Sequence, residues 1–285
     1  MKDLLEKIGF TPEETEEILA NYGFLSKNPT FFEILQSAEK QYRESGRCDY
    51  EEIYEKAGKA AQACDIHSTV GGLCFFVHLL PEAEKKYKLA SLPDYLFNDS
   101  FSDLVYKARL TKERFGVMGE FTSWFGRFYD LTRFKIGRLE YETYKLKYDY
   151  KGYKAGDEVI NIHIPEDGAL DRARVLSSYA DAAKFYADKA KDNTLVFVCS
   201  SWLLSKELRD MLPKNSNIRA FSEDFDILNY RREKGFPDGW RIFGNDMSEN
   251  ADELPENTSL QRLYRKYLKT HKTTTVGYGA FLYKI

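Results

Sequence analysis

The chain has 285 residues, the length of one large domain or two modest ones. Hydrophobic residues at 43% against 31% charged supply a real core and exclude wholesale disorder. With 42 Lys+Arg against 45 Asp+Glu the net charge is −3, which excludes a nucleic-acid binder working by bulk charge.

The opening residues, MKDLLEKIGF, carry no apolar export signal, and the apolar stretch from Leu73 to Leu80, broken by His78, is too short to span a membrane. The expectation is a cytoplasmic protein with no membrane partner, whose four cysteines are reduced thiols.

To about residue 135 the sequence reads as helices. Thr11-Pro12-Glu13-Glu14 joins a capping hydroxyl, a proline at the first helical position and a carboxylate three residues on, which together satisfy orphan backbone donors. Thr30 with Glu33 and Asp49 with Glu52 repeat the signal, each followed by apolar residues at helical spacing. Pro81 and Pro93 are expected to punctuate the later segments. Leu104, Val105 and Ala108 continue the stripe, and Phe121, Trp124, Phe125 and Phe128 predict a helix over 118–134.

Near Gly137 the pattern changes. Residues 138–150 predict an extended segment with a bend, 151–157 a turn, and 158–164 a strand with Ile160, Ile162 and Ile164 on one side and Val159, Asn161 and His163 on the other. A helix follows over 169–189, then a doubly apolar strand over Leu195–Cys199, then a helix opened by Ser205 and stopped by Pro213. Segments 218–221, 225–230 and 240–243 predict short strands. Thr258 and Gln261 open a last helix, and 273–285 alternate as a last strand with Gly277 and Gly279 around Tyr278.

Particular words stand inside this order of elements: Ile136-Gly137-Arg138-Leu139-Glu140-Tyr141-Glu142, Ile162-His163-Ile164-Pro165, Cys199-Ser200-Ser201-Trp202-Leu203-Leu204 and Ser216-Asn217-Ile218, with Asp103-Leu104 and Trp124 in the helical half. Taken in order, they resemble a bacterial family of acyltransferase-like proteins that join a helical N-terminal domain to a GNAT-like C-terminal domain. The resemblance implies an α+β fold: an all-helical domain over residues 1–136, then a mixed α/β GNAT-like domain over 137–285. It also implies transfer of an acyl group from acyl-CoA, as co-substrate, to an amine on a small molecule or peptide.

Such a fold holds a pyrophosphate on backbone N–H groups where a strand passes into a helix. Here that passage is Pro165-Glu166-Asp167-Gly168-Ala169, so Pro165, Gly168 and Ala169, with Tyr278, are the candidate cofactor-binding residues. Glu166 and Asp167 put two carboxylates beside it, each opposing a diphosphate by roughly 1 kcal/mol or more. A non-catalytic GNAT-like protein that binds a ligand or partner is therefore the alternative. For catalysis the candidates are His163 and Glu166 as bases, with Ser200 and Ser201 as polar groups at a strand end. Cys199 beside His163 is a third candidate, as a thiol nucleophile.

Two other clusters carry weaker expectations. Cys64, His67, Cys74 and His78, on one continuous helix, would spread over about 21 Å, so no metal site is expected. Lys107, Arg109, Lys112, Arg114, Arg127, Arg133, Lys135 and Arg138 alternate with acids and predict a solvated face. Trp202 is expected to anchor a domain interface.

Overall fold

Thr11 caps its helix as the sequence demands: its hydroxyl accepts from the Glu14 amide at 3.2 Å, and the Glu14 carboxylate accepts from the Thr11 amide at 2.9 Å. The computed structural model describes residues 1–285 and divides into two units, the first comprising Met1–Ile136 with Pro165–Asp167 and the second the remainder.

The first unit runs α1 (Lys2–Ile8), α2 (Pro12–Leu25), α3 (Pro29–Ser45), α4 (Tyr50–Gln62), α5 (Ser68–Leu89), α6 (Asp94–Phe115), α7 (Gly126–Tyr129) and a strand, β1 (Arg133–Ile136). Its core is aromatic: Phe76, Phe101, Phe125 and Tyr129 are fully buried and pack ring against ring. Helices α4 and α5 approach so closely that a Cβ on Gly71 would lie 2.4 Å from the Ala57 carbonyl oxygen.

Several expectations for this half are corrected. Asn28, not Thr30, caps α3, because its side chain accepts from the Phe31 amide at 3.1 Å. Pro81 lies inside α5, where burial on both sides outweighs one lost hydrogen bond. The predicted helix over 118–134 is one short turn, α7, followed by β1. Of the aromatics that suggested it, Phe125 and Phe128 are buried in the core, whereas Trp124 is exposed.

The second unit contains β2 (Leu139–Lys145), β3 (Glu158–His163), α8 (Arg172–Phe185), β4 (Thr194–Ser201), α9 (Lys206–Met211), α10 (Asn217–Glu223), β5 (Asp226–Lys234), α11 (Trp240–Phe243), α12 (Ser259–Leu268) and β6 (Thr273–Lys284). Its strands lie in the order β2-β3-β4-β6-β5. All neighbours are antiparallel except β3 and β4, which run parallel. The helical region followed by a mixed sheet is the fold class that the resemblance implies.

Two predicted strands are helices. Residues 217–223 form α10, because Ser216 accepts from the Arg219 amide, and 240–243 form α11. Trp202 packs on Phe236 and Tyr264 of its own unit, at 5.8 and 6.0 Å between ring centroids.

Candidate active site

The parallel pair β3–β4 is held at only two positions, Ile160 with Phe197 and Asn161 with Val198. Beyond them the carboxyl ends of both strands continue without pairing to each other, which opens the sheet where ligands of α/β proteins gather. Register decides what faces this opening. Asn161 shares a face with Val198, so two residues on, His163 and Ser200 share it as well. Across the outer ladders the same face carries Glu142, paired with Asn161, and Tyr278, paired with Ser200.

On that face three polar side chains converge. His163 Nε2 lies 2.7 Å from Glu142 Oε1, and the Asn161 amide donates to the same oxygen at 3.2 Å. Glu142 and Asn161 are buried, whereas a third of the His163 side chain remains exposed. The Glu142 carboxylate thus anchors the ring through Nε2, with the Asn161 amide nitrogen 2.9 Å from the same atom. Glu142 was not among the candidate bases read from the sequence. Its signal was there: Glu140 and Glu142 put two carboxylates on one face of an otherwise apolar, tyrosine-rich strand.

The other candidates fall in different places. Ser200 is exposed, and Ser201 is half-buried with its hydroxyl accepting from the Leu203 amide at 3.1 Å. Cys199 alternates to the opposite face, is fully buried, and has its thiol pushed well up by that burial. It therefore does not sit beside His163 as a thiolate. Tyr278 is 5% exposed, and its hydroxyl accepts from the Lys147 amide at 3.3 Å. Gly277 serves a close crossing: a Cβ there would lie 2.4 Å from the Leu204 carbonyl oxygen.

In the loop after β3, Pro165, Glu166 and Asp167 group with the first unit, and Gly168 and Ala169 with the second. Asp167 pairs with Lys135 at 2.5 Å, both side chains being less than a tenth exposed. One of the two carboxylates set against a diphosphate is thus neutralised; Glu166 stays exposed. The buried Arg138 guanidinium donates to the Gly168 and Ala169 carbonyl oxygens at 2.5 and 3.0 Å. The carbonyls are held on the arginine side, and the Gly168 and Ala169 amides make no hydrogen bond within the chain. Gly168 has φ +136°, a conformation open essentially to glycine alone. These amides, just before the N-terminus of α8, are the arrangement that accepts an anionic oxygen.

The family model described as the GNAT-like C-terminal domain matches residues 133–281, and that described as the N-acyltransferase N-terminal domain matches residues 1–131. The chain belongs to the GNAT-like acyltransferase family. No curated protein matches it. Among solved structures, this GNAT-like chain is similar to an acyltransferase in complex with decanoyl-CoA and teicoplanin, at 21% identity and a TM-score of 0.75, covering 97% of this chain and 86% of that one. An acyltransferase in complex with CoA and 10C-teicoplanin gives 20%, 0.74 and the same coverage. A third, with decanoyl-CoA alone, gives 18% and 0.75, covering 98% of this chain and 86% of that one.

The remaining clusters are rearranged. α4 ends before Cys64 and His67 caps α5, so the four thiols and imidazoles do not share one helix. His67 Nδ1 contacts the Thr69 hydroxyl at 2.8 Å, His78 Nδ1 the Tyr22 hydroxyl at 2.8 Å, and Cys64 Sγ the Asn28 amide at 3.3 Å. Of the eight basic residues read as a solvated face, Lys107, Arg133, Lys135 and Arg138 are buried. No helix is long and apolar enough to cross a membrane.

Proposed function

We propose that this GNAT-like protein transfers an acyl group from acyl-CoA to an amine on a small molecule or peptide. The observation that carries the reading is the Glu142–His163 pair on the sheet face where β3 and β4 part. Amines are protonated at neutral pH and do not attack a thioester until a proton is removed. His163, held by Glu142 and still partly exposed, takes that proton. The attacking nitrogen forms its bond to the thioester carbonyl carbon, the carbonyl collapses back, the C–S bond breaks with the electron pair leaving on sulfur, and the proton that the new amide nitrogen sheds goes to that sulfur to give the free CoA thiol. Ser200, exposed at the end of β4 on the same face, donates a hydrogen bond to the charge that develops.

The Gly168 and Ala169 amides support binding of the diphosphate of CoA, with Arg138 orienting the loop from behind and Lys135 offsetting Asp167. The acyltransferases of similar fold were solved with decanoyl-CoA and with teicoplanin, which supports an acyl-CoA donor and an acceptor of glycopeptide or comparable size. Calorimetric titration with acetyl-CoA and decanoyl-CoA, followed by release of free CoA thiol across a panel of amines, tests the reading. Binding with amine-dependent thiol release is expected. Binding of neither thioester in the millimolar range overturns it in favour of a non-catalytic GNAT-like binding protein.

A further inference from the structure

After β2 the chain turns back across the sheet face that carries Asn161 and His163, where Leu146 and Tyr150 pack on Val159, Val198 and Tyr278. Lys147, exposed in the same segment, is tied to that face at its backbone: its amide donates to the Tyr278 hydroxyl at 3.3 Å. Its side chain lies over two rings, with Nζ 5.4 Å from the centre of Tyr278 and 5.7 Å from that of Tyr144. Tyr148, 40% exposed, meets Tyr278 edge to face at 5.5 Å, and its hydroxyl accepts from the Asn229 amide at 2.8 Å.

Two later lysines of this segment have carboxylates: Lys151 pairs with Asp226 at 2.6 Å and Lys154 with Asp149 at 2.7 Å. Lys147 closes no ion pair and has only the two tyrosine faces, which hold a cation without neutralising it. Register places that charge. Tyr144 stands on β2, opposite Val159, and Tyr278 on β6, opposite Ser200, with β3 and β4 between them. Three strand spacings amount to about 14 Å, so an ammonium 5.4 and 5.7 Å from the two rings lies between them, over β3 and β4. The backbone line from Tyr144 to Tyr278 crosses these strands near Asn161 and Val198, the last pair before they part. His163 and Ser200 stand two residues further on, on the same face.

We propose that Lys147, held over Tyr144 and Tyr278, recognises a carboxylate on the acceptor, so that the amine acylated belongs to a carboxylate-bearing molecule such as a peptide rather than to a simple alkylamine. The proposal rests on the acyl-transfer reading for the fate of the amine, but not for the binding of the carboxylate. The Glu142–His163 pair receives the amine, and Lys147 receives the acid group of the same molecule. Tyr148 supplies an exposed aromatic wall beside the cation for the apolar part of that molecule. The diphosphate of the donor is given to the Gly168 and Ala169 amides, beyond the end of β3, which leaves this cation to the acceptor.

Glycyl-tyrosine and glycyl-tyrosinamide present the same amine and ring and differ only in the carboxylate. The net charge of −3 favours the amide, so bulk electrostatics works against the expected result. On the full chain with acetyl-CoA as donor, kcat/KM for the dipeptide should exceed that for its amide by about tenfold or more. Calorimetry without thioester should show the same order of affinity. Lys147→Met should bring the ratio to about one in both readouts, and Lys147→Arg, which keeps the charge, should preserve most of it. Lys147 being exposed, both variants should melt as the parent does. Equal handling of acid and amide by the parent, or a preference that survives in Lys147→Met, overturns the proposal and leaves acyl transfer standing. Preferential binding of the acid that is lost in Lys147→Met, without thiol release from any amine, overturns acyl transfer and leaves the carboxylate site. Weakened acetyl-CoA binding in Lys147→Met with the ratio unchanged assigns the cation to the phosphates of the donor and overturns the proposal. Neither binding nor transfer of either peptide in the millimolar range overturns it as well.

Discussion

Glu142 and His163 meet at 2.7 Å although their backbones are not partners: Glu142 pairs with Asn161, and His163 with Glu140. The bond runs diagonally across the β2–β3 ladder, so it fixes the tilt of the imidazole. Replacing His163 by Ala should lower kcat by roughly 10²–10⁴, the usual worth of a positioned base. Glu142→Gln keeps the shape but loses the anion. Steady-state kinetics should place it between His163→Ala and the parent, with the pH profile of kcat displaced. Unchanged kcat in both variants removes the pair from the chemistry.

Gly168 offers a sharper test of where acyl-CoA binds. Nothing lies within 4 Å of a Cβ built there, so Gly168→Ala is opposed only by its φ of +136°, at a cost of about 1–3 kcal/mol. A loop displaced by that strain should raise KM for acyl-CoA roughly tenfold, with kcat at saturation little altered. A fall in kcat at constant KM would place the loop in the chemical step instead.

Cys199 should be inert. Fully buried, with a thiol held up by burial, it should escape alkylation in the native protein and react only on unfolding, as read by mass spectrometry of peptides. Cys199→Ala should retain activity within about twofold and lose about 0.5–3 kcal/mol of stability. Selective native labelling of Cys199 would restore it as a nucleophile candidate.

Stability should fall as pH rises. Burial pushes Glu120 up to about 8, above the ordinary carboxylate value of 4.5. Between these values the folded state keeps a proton that the unfolded chain has lost, so the contribution is complete below about 4.5 and declines by up to about 1.4 kcal/mol per pH unit towards 8. Asp103, also raised by burial, acts in the same direction. Thermal melts from pH 5 to 8 should show this slope, and Glu120→Gln should flatten it.

What was legible in the sequence was local. Capping at Thr11, Asp49 and Thr258 and the alternation around Ile160 and Ile162 mark elements through contacts a few residues long, and the structure keeps all of them. What was not legible depends on distant partners. Within 121–128 the aromatics mimic helical spacing, but Phe125 and Phe128 fill the core beside Phe76 of α5 and Phe101 of α6 while Trp124 is exposed. Ile218 and Phe221 have strand-like side chains, yet Ser216 caps a helix over them. In the site, His163 was legible as an imidazole at a strand end, but its partner Glu142 lies 21 residues away and emerges only from register. The buried lysines and arginines were hidden for the same reason: a charge pattern along the chain does not reveal which acids fold back upon it.

The pairing of Lys135 with Asp167 constrains how the molecule can be dissected. A gene cut after Ile136 hands the lysine to one fragment and the aspartate to the other. Each piece then carries a charge whose side chain was less than a tenth exposed, and loss of one member of such a pair costs about 3–5 kcal/mol. Truncations meant to isolate either half should therefore express poorly unless the member each piece retains is neutralised, as Lys135→Met in the first and Asp167→Asn in the second, or both pieces are produced together.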